Sequence, residues 1–293
     1  MGLDENGYYS LREILGYNAK VNFVMSDRGR GKSYGTKLFL MKQEGRFMCL
    51  YRNVTDVETA VGSWLDTLYE NGYQPEQFEW NMGKGSCELL YCGAVKGYFR
   101  ALTQVNHIKQ EKFPDDVNWI WFDEFIPLVY KKLPGVVSEG DAIRAIMKTV
   151  DHDTTHPRES KGLKPLRVLL YANPFTWDNP ILSYFKVIPR GYGIWRVGPD
   201  IVCEMLPPID KTEGGKQTMD DFLGDEVHRN QAWADQSSFV MPIPKGAEPV
   251  YSIRLDKEYY TLYRTQSSNI GYIKQHNAHT NARTKLGTLQ GLS

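Results

Sequence analysis

Nearly unbroken apolar runs recur at 21–25, 47–52, 118–122 and 166–171. Runs of this length that are apolar on successive residues predict strands buried on both faces, as in a parallel sheet. Between them, 32–42, 56–70 and 137–150 carry apolar residues at helical spacing, and the alternation predicts an α/β fold with a mostly parallel central sheet. Residues 87–91 and 97–102, joined by 92–96, read as a hairpin added at the sheet edge, and 191–197 and 201–206 as further strands closing the domain. Composition shifts at Pro207-Pro208, and 207–238 is rich in Asp, Glu, Lys, Gly and Gln, as a linker or small helical connector would be. Beyond it, 239–243, 249–254, 259–263 and 270–273 alternate like strands of a small antiparallel sheet. The expected organisation is a first domain over 1–206, a connector over 207–238 and a small β-rich domain over 239–293.

The first strand runs directly into Ser26-Asp27-Arg28-Gly29-Arg30-Gly31-Lys32-Ser33-Tyr34 and then into a helix. A Gly-x-Gly-Lys-Ser run between strand and helix lets backbone N–H groups approach phosphate oxygens, aims Lys32 at the β and γ phosphates and offers the Ser33 hydroxyl to Mg²⁺. The one departure from the usual pattern is Ser26, which stands where the first glycine is expected. Ser26, Arg28, Gly29, Arg30, Gly31, Lys32, Ser33 and Tyr34 are thus the expected nucleotide-binding residues, with ATP and Mg²⁺ as cofactors.

The run 118–122 ends in Asp123-Glu124, where a parallel strand would deliver its last residues to the ligand-binding edge of the sheet. Asp123 is expected to hold Mg²⁺ through water, and Glu124 to polarise the water that attacks the γ phosphate. The strand over 166–171 ends in Asn173, an amide suited to sensing the γ phosphate or the attacking water. Its plainer role would be to start the turn before Pro174. Tyr8 or Tyr9, ahead of the first strand, could offer a ring face to adenine.

Thirty-five basic against thirty-five acidic residues leave a formal charge of zero, so no surface that coats nucleic acid indiscriminately is expected. A ring of subunits, each giving one or two basic groups to an enclosed duplex, remains compatible. The four cysteines form no Cys-x-x-Cys pair and read as reduced core thiols, and no apolar run approaches membrane-spanning length. Asp151-His152-Asp153 with His156, and His276 with His279, have ligand-type spacing but no cysteine partners, and a transition-metal site is not expected at either.

The order Arg28-Gly29-x-Gly31-Lys32-Ser33, then Phe122-Asp123-Glu124-Phe125-Ile126, then Ala172-Asn173 resembles the DNA-packaging ATPases of short-tailed phages of the phi-twenty-nine type. The resemblance covers most of the first two hundred residues. It implies an additional-strand, catalytic-glutamate ATPase domain followed by a small degenerate RNase H-like domain. It further implies a homo-oligomeric ring, pentameric by that likeness, which drives double-stranded DNA into a prohead. Such a ring would sit at the portal vertex in the host cytoplasm, with a structural RNA as a further partner. Arg28 would be the family's loop arginine. A basic side chain offered to the neighbouring subunit's γ phosphate would be Arg158 or, second, Arg144, while Lys109 matches a family lysine ahead of Asp123. Lys131 and Lys132, just after the acidic pair, are the DNA-contact candidates. Arg52, where the family tends to place a basic residue, would serve the nucleotide pocket or a subunit contact. Nuclease activity is not expected, because from 249 onward the only acids are Asp256 and Glu258. Two other readings compete: a P-loop phosphotransferase with a small-molecule acceptor, and a vertex protein that uses ATP only as an assembly switch.

Overall fold

The computed structural model describes residues 2–5, 8–127, 130–152, 158–174, 179–188, 190–207, 248–255, 258–264 and 271–276. The chain divides into two compact units, Met1–Ala234 and Asp235–Ser293. In chain order the first contains α1 (Arg12–Gly16), β1 (Val21–Met25), α2 (Lys32–Lys42), β2 (Arg46–Tyr51), α3 (Val54–Glu70), β3 (Phe78–Gly83), β4 (Ser86–Tyr91) and β5 (Ala94–Ala101). It continues with α4 (Val105–Ile108), β6 (Val117–Phe122), α5 (Glu139–Val150), β7 (Arg167–Ala172), α6 (Pro180–Tyr184), β8 (Gly193–Arg196) and β9 (Ile201–Met205).

Its strands form one sheet in the order β3-β4-β5-β2-β6-β7-β1-β9-β8. The six strands from β5 to β9 are parallel, whereas β3, β4 and β8 join the two edges antiparallel. Both faces are covered, which is why the central strands are apolar on successive residues. On β6, Ile120 and Phe122 belong to one buried cluster with Ile143, Ile146 and Ile181. Trp119 and Trp121 belong to the other, with Leu40, Trp64 and Tyr171. One strand thus feeds two cores.

Strand β7 lies between β1 and β6. The strand that enters the phosphate loop and the strand that ends in Asp123 are therefore separated by the additional strand that the resemblance implied. The C-terminal ends of all three lie along one edge, with Met25 beside Ala172 and Leu170 beside Phe122.

Element boundaries follow local chemistry. Helix α3 starts two residues earlier than the apolar spacing predicts, because the Asn53 N–H donates to the Asp56 carboxylate at 2.9 Å and so caps the first turn. Helix α5 starts later than expected because the Ser138 hydroxyl accepts from the Asp141 N–H. Strand β3 was not anticipated. Only Phe78 of its six residues is buried, so an edge strand leaves little periodicity to read. The hairpin β4–β5 consequently lies inside that edge, and β5 runs parallel to β2.

In the second unit, β10 (Glu248–Leu255), β11 (Glu258–Arg264) and β12 (Gly271–His276) form a three-stranded antiparallel sheet. The expected strand at 239–243, the connector beyond Pro207 and the tail 277–293 fall outside the described residues. No described helix is long and apolar enough to cross a membrane.

Candidate active site

Strand β1 ends fully buried, and the chain then turns over 26–31 before α2 begins at Lys32. The turn needs its glycines. Gly29 and Gly31 have φ of 82° and 68°, in the left-handed region where a side chain is strained. A Cβ on Gly31 would also come within 3.1 Å of the Tyr8 ring. The loop is anchored from outside by the Tyr9 N–H, which donates to the Arg30 carbonyl at 2.7 Å. Helix α2 is held in place by the Thr36 hydroxyl, which donates to the Tyr171 hydroxyl at 2.9 Å, and by Lys37, whose Nζ donates to the Ser63 carbonyl at 2.7 Å on α3.

The loop faces a cavity of about 500 Å³ lined by Arg28 to Tyr34, Asp123, Glu124, Ala172 and Asn173. Residues predicted from three separate stretches of sequence therefore share one site. Lys32 Nζ donates to the Ser26 hydroxyl (2.7 Å), the Asp27 carbonyl (2.9 Å), the Ser26 carbonyl (3.0 Å) and Asn173 Oδ1 (3.3 Å). The side chain of Ser26, the residue that departs from the glycine pattern, is thus a direct ligand of the lysine. The Ser33 hydroxyl donates to Asp123 Oδ2. Glu124, next along, is exposed on the cavity and has φ of 53°, a conformation uncommon for a non-glycine residue.

Burial controls the charges here. It pulls the Lys32 ammonium down to about 8, with Asp123, Asp27 and Glu124 opposing. It also pushes the Asp123 carboxyl above its ordinary range, against the hydrogen bond from Ser33. A cation and an anion that each resist ionisation suit a site completed by a charged ligand of either sign. The donor set fits such a ligand: a helix N-terminus with its loop N–H groups and Lys32 for phosphate, and a hydroxyl beside a carboxylate for Mg²⁺.

The family model for the Podovirus DNA encapsidation protein (Gp16) matches residues 3–289, almost the whole sequence. The chain belongs to that family. It is 24% identical over 263 residues to the DNA packaging protein of Bacillus phage phi29, covering 86% of this chain and 74% of that one. Its fold is similar to the bacteriophage phi29 genome packaging motor assembly, with a TM-score of 0.58 at 19% identity over 97% of this chain and 84% of that one. It is also similar to the N-terminal domain of the phi29 DNA packaging ATPase, with a TM-score of 0.50 at 20% identity over 71% of this chain and 99% of that one.

In this encapsidation protein, several residues expected at or near the site lie elsewhere. Arg158 is 6% exposed and binds within its own subunit. It donates to the carbonyls of Lys164 (2.8 Å), Asp115 and Val117 (3.3 Å) and to Asn118 Oδ1 (2.9 Å). Those partners cluster at the start of β6, at the opposite end of that strand from Asp123. The expectation that Arg158 reaches a neighbouring subunit is therefore corrected: its fork is consumed in pinning β6. Arg144 is exposed on α5 and donates to the Tyr184 hydroxyl at 3.3 Å, and Lys109 is exposed at the end of α4. Lys131 and Lys132 are exposed on the loop between Asp123 and α5. Arg30 lines the cavity, but its guanidinium donates to the Pro207 carbonyl at 3.0 Å. Tyr9 is excluded from a base-stacking role, being buried with its hydroxyl on Glu204 Oε2 (3.2 Å). Tyr8 remains exposed beside Gly31. Arg52 forms a two-pronged ion pair with buried Glu139 rather than lining the cavity. His152 lies 3.2 Å from Asp115; Asp153, His156 and His279 fall outside the described residues.

Sequence reasoning missed Asp27 and Glu139. Asp27 sits inside the motif itself and could have been read as a charge near Lys32. Nothing local marks Glu139 as the partner of a residue 87 positions earlier.

Proposed function

We propose that this encapsidation protein is an ATP-hydrolysing motor subunit that moves double-stranded DNA into a prohead as part of a homo-oligomeric ring at the portal vertex. The observation that carries the reading is the convergence of Lys32, Ser33, Asp123, Glu124 and Asn173 on one cavity at the ends of β1, β6 and β7. Bound Mg²⁺ would screen the phosphate charge and polarise the γ phosphoryl group.

The chain's own groups divide the remaining work. The loop N–H groups and Lys32 hold the β and γ phosphates, and phosphate charge restores the ammonium that burial disfavours. Ser33 would offer its hydroxyl oxygen to the metal, and Asp123 would hold it through water. Glu124, held in an uncommon backbone conformation, orients the attacking water and accepts its proton. Asn173 already bonds Lys32, so it reports directly on the group that contacts the γ phosphate. Arg28, exposed on the rim, is free to meet the triphosphate or an adjacent subunit. With Arg158 internal, exposed Arg144 and Lys109 remain the candidates for acting on a neighbour's nucleotide, and Lys131 and Lys132 for meeting DNA.

The test is steady-state ATP hydrolysis over a protein-concentration series, with and without long double-stranded DNA, for the parent and Glu124→Gln. Turnover that rises with concentration and responds to DNA is expected, with Glu124→Gln binding ATP normally but hydrolysing it at least about 10²-fold more slowly. Near-parental turnover in Glu124→Gln removes the assignment of the base. Turnover indifferent to both concentration and DNA removes the ring-motor reading.

A further inference from the structure

Arg52 follows β2 directly, and its guanidinium meets the segment that leads from the acidic pair to α5 at Phe125, Tyr130 and Lys131, and α5 itself at Glu139. Nη1 and Nη2 each donate to one oxygen of Glu139 at 2.8 Å, with the two side chains 11% and 3% exposed. Nη2 also donates to the Lys131 carbonyl at 3.2 Å, and Nη1 to the Phe125 carbonyl at 3.4 Å. The guanidinium carbon lies 5.8 Å from the centre of the Tyr130 ring. Phe125 follows Glu124 and is fully buried. Its N–H donates to the Tyr171 carbonyl at 3.0 Å, and its carbonyl also accepts from Asn179, the cap of α6, at 3.4 Å.

The residue behind Glu124 is therefore fixed on one side by β7 and on the other by Arg52 and Asn179. The same guanidinium grips the loop that exposes Lys131 and Lys132. A buried bidentate pair is rigid, and it transmits displacement because breaking one prong leaves a charge unpaired in a dry place. Resting on the reading of Glu124 and the basic loop given above, we infer that Arg52 is a positioning residue that couples the backbone at Glu124 to the loop 130–137. When Glu124 shifts to meet a nucleotide, Phe125 shifts with it, and Arg52 carries that shift to the main chain beneath Lys131. The Glu139 carboxylate is the pivot.

The double substitution Arg52→Met/Glu139→Met tests this, because replacing both members of a buried ion pair by apolar groups of similar volume commonly preserves the fold. Amide hydrogen exchange over 130–137 is measured on the full-length parent and the double variant, with and without Mg²⁺ plus a non-hydrolysable ATP analogue. Analogue affinity is measured alongside. In the parent, the analogue changes exchange in the loop by about 10-fold or more, whereas the double variant binds it within about 3-fold of the parent yet leaves loop exchange within about 2-fold. A purely structural Arg52 would instead loosen the loop equally with and without nucleotide. Nucleotide-responsive exchange in the double variant overturns the coupling alone, as does a parent loop that ignores bound analogue. If the parent binds no analogue, the nucleotide-site reading fails first and the coupling falls with it. Arg52→Lys separates charge from reach: it keeps the attraction to Glu139 but cannot span three partners, so it should lose the response as well.

Discussion

Arg158 offers the sharpest test of what the tertiary structure adds, since its sequence position suggested action on a neighbouring subunit whereas its contacts are internal. Arg158→Met keeps the aliphatic stem and removes the fork. Four acceptors, three at the start of β6 and one just ahead of β7, then lose a buried donor: the carbonyls of Asp115, Val117 and Lys164, and Asn118 Oδ1. At about 1 kcal/mol for each buried acceptor left unmatched, less what water recovers at the strand end, the loss is about 3 kcal/mol. Arg158→Lys can satisfy some of these acceptors but not all, and should lose roughly half as much. Urea unfolding followed by tryptophan fluorescence is well placed to measure this, because Trp119 and Trp121 lie on β6 itself. If Arg158→Met unfolds within about 1 kcal/mol of the parent, the anchoring argument fails. Should its lost turnover then return on mixing with Glu124→Gln subunits, Arg158 acts on a neighbour after all.

Two further outcomes follow from burial of charge. Lys32 titrates near 8 in the folded protein against an ordinary 10.5, so between these values the unfolded chain binds more protons and stability rises with pH. Lys32→Met should remove the Lys32 share of that rise, leaving what Lys37 and Lys96, also lowered by burial, contribute, and should abolish the thermal stabilisation by Mg²⁺-ATP; parallel pH–stability curves for the two proteins would refute the burial argument. Glu204 is fully buried, accepts from the Gly2 N–H and the Tyr9 hydroxyl, and is pushed up by burial. A carboxyl raised on folding stabilises at low pH and loses that contribution as pH climbs from its ordinary range through the raised value. Glu204→Gln should therefore gain on the parent as pH rises from about 4.5, and a constant difference in thermal melts across pH 4 to 8 would contradict it.

The sequence by itself determined the parallel core and the residues that line the cavity. Both are local statements. A strand buried on both faces must be apolar at successive positions, and a loop that wraps phosphate must carry Gly29, Gly31, Lys32 and Ser33 in a fixed order, so each leaves a mark within a few residues. The ends of those strands were legible too, because a polar residue directly after a buried run has only one edge of the sheet to occupy, which is how Asp123 and Asn173 could be paired with the loop. Tertiary structure alone decided which charges are spent internally. Arg158 and Arg52 look alike along the chain, each a basic residue in a polar stretch between regular elements, yet one is closed on the backbone at the far end of β6 and the other holds Glu139 at the start of α5. The order that inserts β7 between β1 and β6 was implied by the resemblance alone, and periodicity is silent on it. Periodicity reports how deeply a segment is buried, but not which segment lies beside it, and a guanidinium's role is set by the partners within reach of its fork.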